Sequence, residues 1–330
     1  MLKKLLLATA LASLTFVSGP ANAQFPERTV DIMFPWTAGA AMSCSQIIAK
    51  GMADELGVAV PVISTPGAAG MKAFKTAMGR KSDGYTIYDG YVAPLVLQPV
   101  LGKANWTYKD FKPLHSGVSN AFSIGSRVGD TRWNTIEELM AYGKKNPGKL
   151  RYSSGSRNNL PHMVMAKVLQ SYGVVAQNIP YKTDGDARKD LQAGVLDFAF
   201  VNVGAYLQDK KGFKILLVLS ELPGAKASYD GAPSIADLKI DLGLSGLAPM
   251  GWDWWLVSKD TPEAETKILR KAMKAAMANP DVIAKISKIG FVPLKWDYDE
   301  YDKIVGPVAD QLGAMGNALK WEEEEMKKLR

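Results

Sequence analysis

One cysteine and two histidines are spread over 330 residues, and this scarcity removes several kinds of chemistry at once. A lone thiol, Cys44, cannot close an internal disulfide, so stability must come from apolar cores. Its setting in a small-residue helical run reads as a buried side chain rather than a reactive one. His115 and His162 are far apart in the chain and, with one cysteine, do not make a metal-ligand pattern. The Walker A sequence, a G-x-G-x-x-G after a strand, H-E-x-x-H and G-x-S-x-G are all missing. No cofactor and no metal are therefore expected. The formal net charge of +7 comes from dispersed basic residues, with no dense run of the kind a nucleic acid needs. After residue 23 no apolar stretch is long enough to cross a bilayer.

Residues 1–23 have the three parts of a secretory signal. Lys3 and Lys4 make a basic start, Leu5 to Val17 is apolar, and Ala21-Asn22-Ala23 precedes Gln24 as an A-x-A cleavage site. No cysteine stands at the cleavage point to carry a lipid. The expectation is an exported, periplasmic protein starting near Gln24, with a net charge of about +5 once the two lysines are gone.

Two neighbouring segments have the same form of strand, small-residue turn and helix. The first is Thr29–Pro35, then Trp36-Thr37-Ala38-Gly39-Ala40-Ala41, then an apolar helix to Leu56. The second is Val58–Ile63, then Thr65-Pro66-Gly67-Ala68-Ala69-Gly70, then a helix to about Met78. A helix that opens on tiny residues points unpaired N–H groups and the positive end of its dipole at one spot. Two such turns on adjacent strands form a pincer suited to a carboxylate. The plainer alternative is a pair of tight connections with no ligand.

Strand-like and helix-like runs alternate along the rest of the chain. Helices are predicted at Ile136–Lys145, Leu160–Tyr172, Asp184–Ala193, from Thr261-Pro262-Glu263 to Ala278, from Asn279-Pro280 to Lys288, and from Tyr298 to the end. Strands are predicted at Leu150–Ser153, Asn178–Lys182, Asp197–Val203, Phe213–Ser220, through Trp252–Val257 and at Phe291–Leu294. In the tail, Glu323 and Lys327, and Glu324 and Lys328, are spaced to pair. This alternation implies an α/β fold with mainly parallel sheets in two lobes. A chain that leaves one lobe, builds another and returns makes a two-hinge clamshell.

Two side-chain groups bear on function. Trp36 and Tyr91 follow strand ends, where open α/β sheets bind ligands, although Trp252, Trp254 and Trp255 show that aromatics here can equally serve a core. The hydroxyl-rich turn Ser153-Ser154-Gly155-Ser156 lies near His162 in sequence and offers an alternative, an exported hydrolase using Ser154 and His162.

The order of these pieces resembles the periplasmic solute-binding proteins of tripartite tricarboxylate transporters, the TctC or Bug family. The resemblance rests on Phe34–Ser43, Pro66–Gly70, Ser82-Asp83-Gly84-Tyr85-Thr86, Ser153–Ser156 with His162, Tyr181-Lys182 with Asp190, Leu191, Gly194 and Asp197, Pro233-Ser234, and Trp252–Trp255 before Thr261-Pro262. It implies a type II-like periplasmic binding fold, not an enzyme, with a signal peptide at 1–23, lobe I at 24–124 and 246–330, and lobe II at 125–245. It also implies a monomer that closes on a small carboxylate and hands it to the membrane permease subunits of such a transporter. A receptor kinase reading the loaded protein is a further alternative. The ligand would meet Trp36, Thr37, Ala38, Gly39, Ala40, Ser43, Pro66, Gly67, Ala68, Ala69, Gly70 and Tyr91 in lobe I. Ser153, Ser154, Gly155, Tyr181 and Asn202 would face it from lobe II. The chain departs from the family in having Ser43 for an Asp, Thr183 for a Gly, and Val201-Asn202 for Asp-Asn. Fewer acids, with Trp36 and Tyr91 added, point to an aromatic or bulky apolar carboxylate of the benzoate or phthalate type, with a C4–C6 di- or tricarboxylate second.

Overall fold

The computed structural model describes residues 25–247 and 250–329; the signal segment read at 1–23 lies outside them. The chain runs β1 (Asp31–Phe34), α1 (Ala40–Leu56), β2 (Val62–Ser64), α2 (Met71–Met78) and β3 (Thr86–Tyr91). A π-helical turn, Ala93–Leu97, continues into α3 (Gln98–Val100). Then come β4 (Phe111–Asn120), β5 (Phe122–Arg127), α4 (Ile136–Lys145), β6 (Arg151–Ser153), α5 (Leu160–Tyr172) and β7 (Gln177–Asn178). They are followed by α6 (Asp184–Gln192), β8 (Phe198–Asn202), α7 (Val203–Gln208), β9 (Phe213–Val218) and α8 (Pro223–Ser228). The chain ends with β10 (Gly251–Ser258), α9 (Glu263–Ala278), α10 (Pro280–Lys288), β11 (Val292–Pro293), α11 (Tyr301–Met315) and α12 (Asn317–Lys328).

Two sheets result, in the orders β11-β4-β10-β3-β1-β2 and β7-β6-β8-β5-β9. The alternation of strand and helix makes the parallel parts, β3-β1-β2 and β7-β6-β8. The sheets are mixed rather than mainly parallel, because β10 and β4 pair antiparallel beside β3, and β5 and β9 beside β8. The cause is the crossing itself. β4 leaves the first sheet through Ala121 and becomes β5 of the second, while β10 brings the chain back. A strand that departs and one that returns over the same edge must run in opposite directions.

The Trp252, Trp254 and Trp255 side chains are fully buried in this returning strand. Trp254 stacks on Trp296 at 6.1 Å and meets Tyr301 edge-on at 5.0 Å. These rings are core, and Trp36 and Tyr91 behave differently. The two lobes touch on both sides of the space between them. A Cβ placed on Gly204, in α7, would come within 2.3 Å of Ala40 Cβ at the start of α1. On the other side, Gln98 Nε2 donates to the Asn158 carbonyl at 2.6 Å.

A third connection was not visible in the sequence. The long terminal helix breaks at Gly316, and α12, which lies in the range read as lobe I, packs on α5 beside the second sheet. There the buried Glu322 accepts from the Tyr152 hydroxyl and from His162 Nε2 at 2.8 Å. The Asn158 N–H donates to His162 Nδ1 at 2.9 Å, so the ring's one proton sits on Nε2 and points at Glu322. On the exposed side of α12, Glu323 pairs with Lys327 at 2.8 Å, but Lys328 pairs with Glu325 rather than Glu324.

Candidate functional site

Between the lobes lies a cleft of about 680 Å³, within the usual size of a small-molecule site. Its lobe I wall is made by the two small-residue turns. Trp36, Thr37, Ala38, Gly39 and Ala40 border it from the first, and Pro66, Gly67, Ala68, Ala69 and Gly70 from the second. The Ser64 hydroxyl donates to the Trp36 carbonyl at 2.7 Å and ties the turns together. Tyr91 closes the floor, its ring 6.0 Å from the half-buried Trp36 in an edge-to-face contact.

The second turn is an unusual piece of backbone. Gly67, Ala68, Ala69 and Gly70 all have positive φ, at 139°, 49°, 51° and 89°. Alanine in the left-handed region costs about 1–2 kcal/mol per residue, so the surrounding structure holds this turn in a strained form. It turns the chain sharply into α2, which starts at the cleft.

Helix N-termini face the cleft from both lobes, and they are finished differently. The N-caps in lobe I are Gly39 for α1 and Gly70 for α2, neither with a side-chain cap. In lobe II the Asn159 side chain accepts from His162 N, Thr183 from Asp186 N, and Asn202 from Ala205 N, capping α5, α6 and α7. All three capping residues line the cleft. Each lobe II cap takes one first-turn donor, whereas no side chain caps α1 or α2. At α2 the Met71 and Lys72 N–H groups donate to the Ala68 and Gly67 carbonyls, so the lobe I donors open to an anion are chiefly those starting α1.

Other expected residues stand elsewhere. Tyr181 and Asn202 border the cleft, but Ser43, Ser153, Ser154 and Gly155 are not on its wall. Ser43 projects outward from the first turn of α1 and is exposed. Ser153 and Ser154 are buried behind the wall, where Ser153 Oγ accepts from Gly155 N and Ser154 Oγ from Asn178 Nδ2. Gly155, at φ 78°, turns the chain so that Ser156 takes their place. Hydroxyl content alone does not say which serine faces out. The hydrolase reading fails on the same geometry, since Ser154 bonds Asn178 and both His162 ring nitrogens have partners in Asn158 and Glu322.

Several lining residues were not foreseen. Phe122 and Phe200, in edge-to-face contact at 5.3 Å, form an aromatic wall on the second sheet, where β5 begins at Phe122 although that residue falls in the range read as lobe I. Asp184 and Arg188, one helical turn apart on α6, and Lys182 add charge. Asn202 Nδ2 donates to Asp184 at 3.3 Å. The Asp184 residue is open to solvent, yet desolvation by the concave wall raises its pKa, against the lowering effect of Arg188. Thr183-Asp184 with Arg188 was readable as a helix start but not as a cleft wall, while Lys182 was readable either as a partner for a second carboxylate or as a solvated strand-end lysine, and it borders the cleft.

Beneath the floor, two carboxyls share a buried space. Ser45 Oγ donates to Asp89 Oδ2 at 2.6 Å, and Asp89 Oδ1 has no donor. Asp253 accepts from Val118 N at 2.6 Å and from Trp255 Nε1 at 2.9 Å. Burial raises the pKa of Asp89 well above the usual range, and the Asp253 charge adds to the rise. Burial raises Asp253 as well, but its N–H donors work against that. Asp89 therefore holds the proton and Asp253 the charge. Burial also pushes the neighbouring Cys44 thiol up, in keeping with an inert buried residue. An acid with a raised native pKa stabilises fully below its unfolded pKa, and that stability is lost as pH climbs towards the native value. Asp89→Asn avoids this loss. It is expected to be more stable than the parent at pH 8 by on the order of 1 kcal/mol, with the gain shrinking towards pH 4. Urea unfolding at the two pH values checks it, and a variant less stable at pH 8 would reverse the assignment of the proton.

Comparison with known proteins places these features in context. The model of the tripartite tricarboxylate transporter family receptor matches residues 44–320. A curated relative, the UPF0065 protein in the gbd 5' region of Cupriavidus necator, is 28% identical over 302 residues, covering 89% of each chain. Two solved R. palustris structures share the fold. One, Rpa4515 with adipate, has TM-score 0.77 and 18% identity, covering 90% of this chain and 98% of that one. The other, MatC from Rhodopseudomonas palustris with bound malate, has TM-score 0.75 and 17% identity, covering 89% of this chain and 100% of that one.

Proposed function

This chain belongs to the tripartite tricarboxylate transporter family of receptors, and from that premise we propose that its cleft captures an aromatic or bulky apolar carboxylate. Members of the family are periplasmic solute-binding proteins, not enzymes. On our reading the exported protein closes on its solute and delivers it to the membrane subunits of a tripartite transporter.

The observation that carries this reading is the contrast between the lobes' helix starts. The carboxylate sits against the starts of α1 and α2, neither capped by a side chain, where the free donors of α1 and the dipoles of both helices act together. The rest of the ligand lies between two aromatic pairs, Trp36 with Tyr91 and Phe122 with Phe200. Planar rings stack on such walls more favourably than a flexible alkyl chain does. A C4–C6 di- or tricarboxylate is the second choice, and adipate and malate are what the two R. palustris neighbours hold. Closure follows from contacts that exist only when both lobes meet the ligand.

Thermal unfolding of the mature protein against a panel of mono-, di- and tricarboxylates, aliphatic and aromatic, tests the reading. A ligand that binds only the folded state adds about 2.7 kcal/mol of stability at a hundred times its Kd. A midpoint rise with one acid class supports capture and identifies the class. A panel without any rise removes the carboxylate pincer. The aromatic part has its own test in Trp36→Ala. It is expected to weaken an aromatic acid about tenfold, the value of roughly one ring contact, and to leave an aliphatic acid nearly unchanged. Equal binding of the aromatic acid by variant and parent would sink that part alone.

A further inference from the structure

The far wall of the cleft carries charge for which carboxylate capture at lobe I has no use. Lys182, Asp184 and Arg188 all border the cavity. Among the described residues, Arg28, Arg80, Arg127, Arg132, Arg151 and Arg270 each meet a carboxylate within 4.0 Å. Among the described residues Arg188 meets none at that distance and makes no hydrogen bond, although it is half-buried; Arg157 makes neither contact there either, but its charge acts on Glu323 and it is not on the cleft. A guanidinium has five donors in a planar fork, and leaving all of them idle inside a concavity is costly unless something arrives to fill them.

The neighbours of Arg188 are arranged so as not to fill them. Asp184 lies one turn away on α6, but Asn202 Nδ2 holds its carboxylate at 3.3 Å. Asp186 is engaged with the Thr183 hydroxyl at 2.8 Å, and Asp190 with the Tyr181 hydroxyl at 2.5 Å. Every acid of α6 thus has another partner. Lys182 likewise makes no ion pair among the described residues, and Arg188 acts on Asp184 only from beyond ion-pair distance, so this wall presents two cations against the single carboxylate of Asp184. One more negative charge would balance it.

We propose that Arg188 is a specificity-determining residue that reads an acidic group at the end of the solute remote from the lobe I turns. The cleft then prefers a solute with an acid at both ends over one of equal length with an acid at one end. This rests on the capture reading above. It differs from the lobe I pincer in kind, since recognition here comes from a side-chain fork with bidentate geometry rather than from main-chain donors. The lobe II wall thereby sets the choice among acids that lobe I accepts alike.

The test is isothermal titration of the parent, Arg188→Met and Arg188→Lys with two matched pairs, benzoate with terephthalate and hexanoate with adipate. The parent is expected to bind the two-ended acid of at least one pair about tenfold more tightly, in line with one charge-assisted contact. Arg188→Met keeps the stem and removes the fork. It is expected to erase that preference while changing the one-ended acid by less than about threefold. Arg188→Lys keeps the charge without the fork and is expected to recover part of it. A parent that binds both members of each pair equally overturns the proposal, as does an Arg188→Met variant that keeps the preference. Those results leave capture intact, because the one-ended acids still bind. Failure of all four acids to bind the parent is the distinct outcome that overturns the capture reading, and this proposal with it. Should Arg188→Met fail to fold, the lysine variant decides, and full retention of the preference there overturns the role of the fork.

Discussion

Gly70→Val is expected to abolish carboxylate binding and to cost the protein about 3 kcal/mol of stability. Two effects add. Gly70 has φ 89°, a region closed to a β-branched side chain at reasonable cost. A Cβ there would also lie 2.9 Å from Pro94 Cγ and 3.1 Å from Pro35 Cβ. Neither ring can swing aside, since proline has no side-chain rotamers to exchange. The backbone must move instead, and Gly70 is the N-cap of α2, so the start of that helix and the turn bonded to it move with it. Urea unfolding and titration with the best acid of the panel read the two effects separately. Ala69→Gly is the control in the same turn. It relieves φ 51° at a position bordering the cleft, and the relief is partly offset by a freer unfolded chain, so stability should stay within about 1 kcal/mol of the parent. A Gly70→Val protein that melts and binds like the parent would mean that this turn does not shape the site.

Glu322→Leu is the second large effect, and it falls far from the ligand. The carboxylate of Glu322 receives the Tyr152 hydroxyl and the His162 Nε2 proton, all three groups being buried. Leucine fills a similar space and accepts nothing, so two buried donors lose their partner. The expected loss is roughly 3–5 kcal/mol, the usual cost of removing one member of a buried charged network. For a chain of this size that is a fall of about 5–8 °C in Tm. Glu322→Gln keeps one acceptor oxygen, and the Tyr152 hydroxyl can turn to accept from its amide. It should recover more than half of the loss. If Glu322→Leu and the parent melt together, α12 is not anchored through this contact. Circular dichroism melts of the three proteins suffice.

The turns of lobe I were legible because their information is local. Ala38-Gly39-Ala40 and Gly67-Ala68-Ala69-Gly70 are short-range statements about backbone, and they stand on the cleft. Trp36 and Tyr91 could be located from their place after a strand end. Lobe II was less legible for a physical reason. Whether Ser154 or Ser156 faces the solute depends on one left-handed residue, Gly155, and both orders of hydroxyls look alike in sequence. Strand β8 was expected to reach Val203, since the apolar run gives no reason to stop. It stops at Asn202 because that side chain caps α7 instead. Nothing in the local pattern of the acidic run Glu322–Glu325 sets Glu322 apart. Its burial depends on the break at Gly316 and on where α12 lands, some 160 residues from its partner His162 in the chain, and no local periodicity encodes that.

The unequal finish of the helix starts has a consequence for time as well as affinity. On the capture reading, an open protein already offers the solute its uncapped α1 and α2 on one lobe, before any closure. Encounter and first attachment are then governed by lobe I alone, and the rate of arrival should ignore changes in the opposite wall. Lobe II, with one first-turn donor of each helix taken by Asn159, Thr183 or Asn202, engages only after the jaws meet. Its residues then set how long the solute stays. Arrival and residence are divided between the two halves of the molecule, so a transporter that must unload its receptor has to act on the second half and can leave the first untouched.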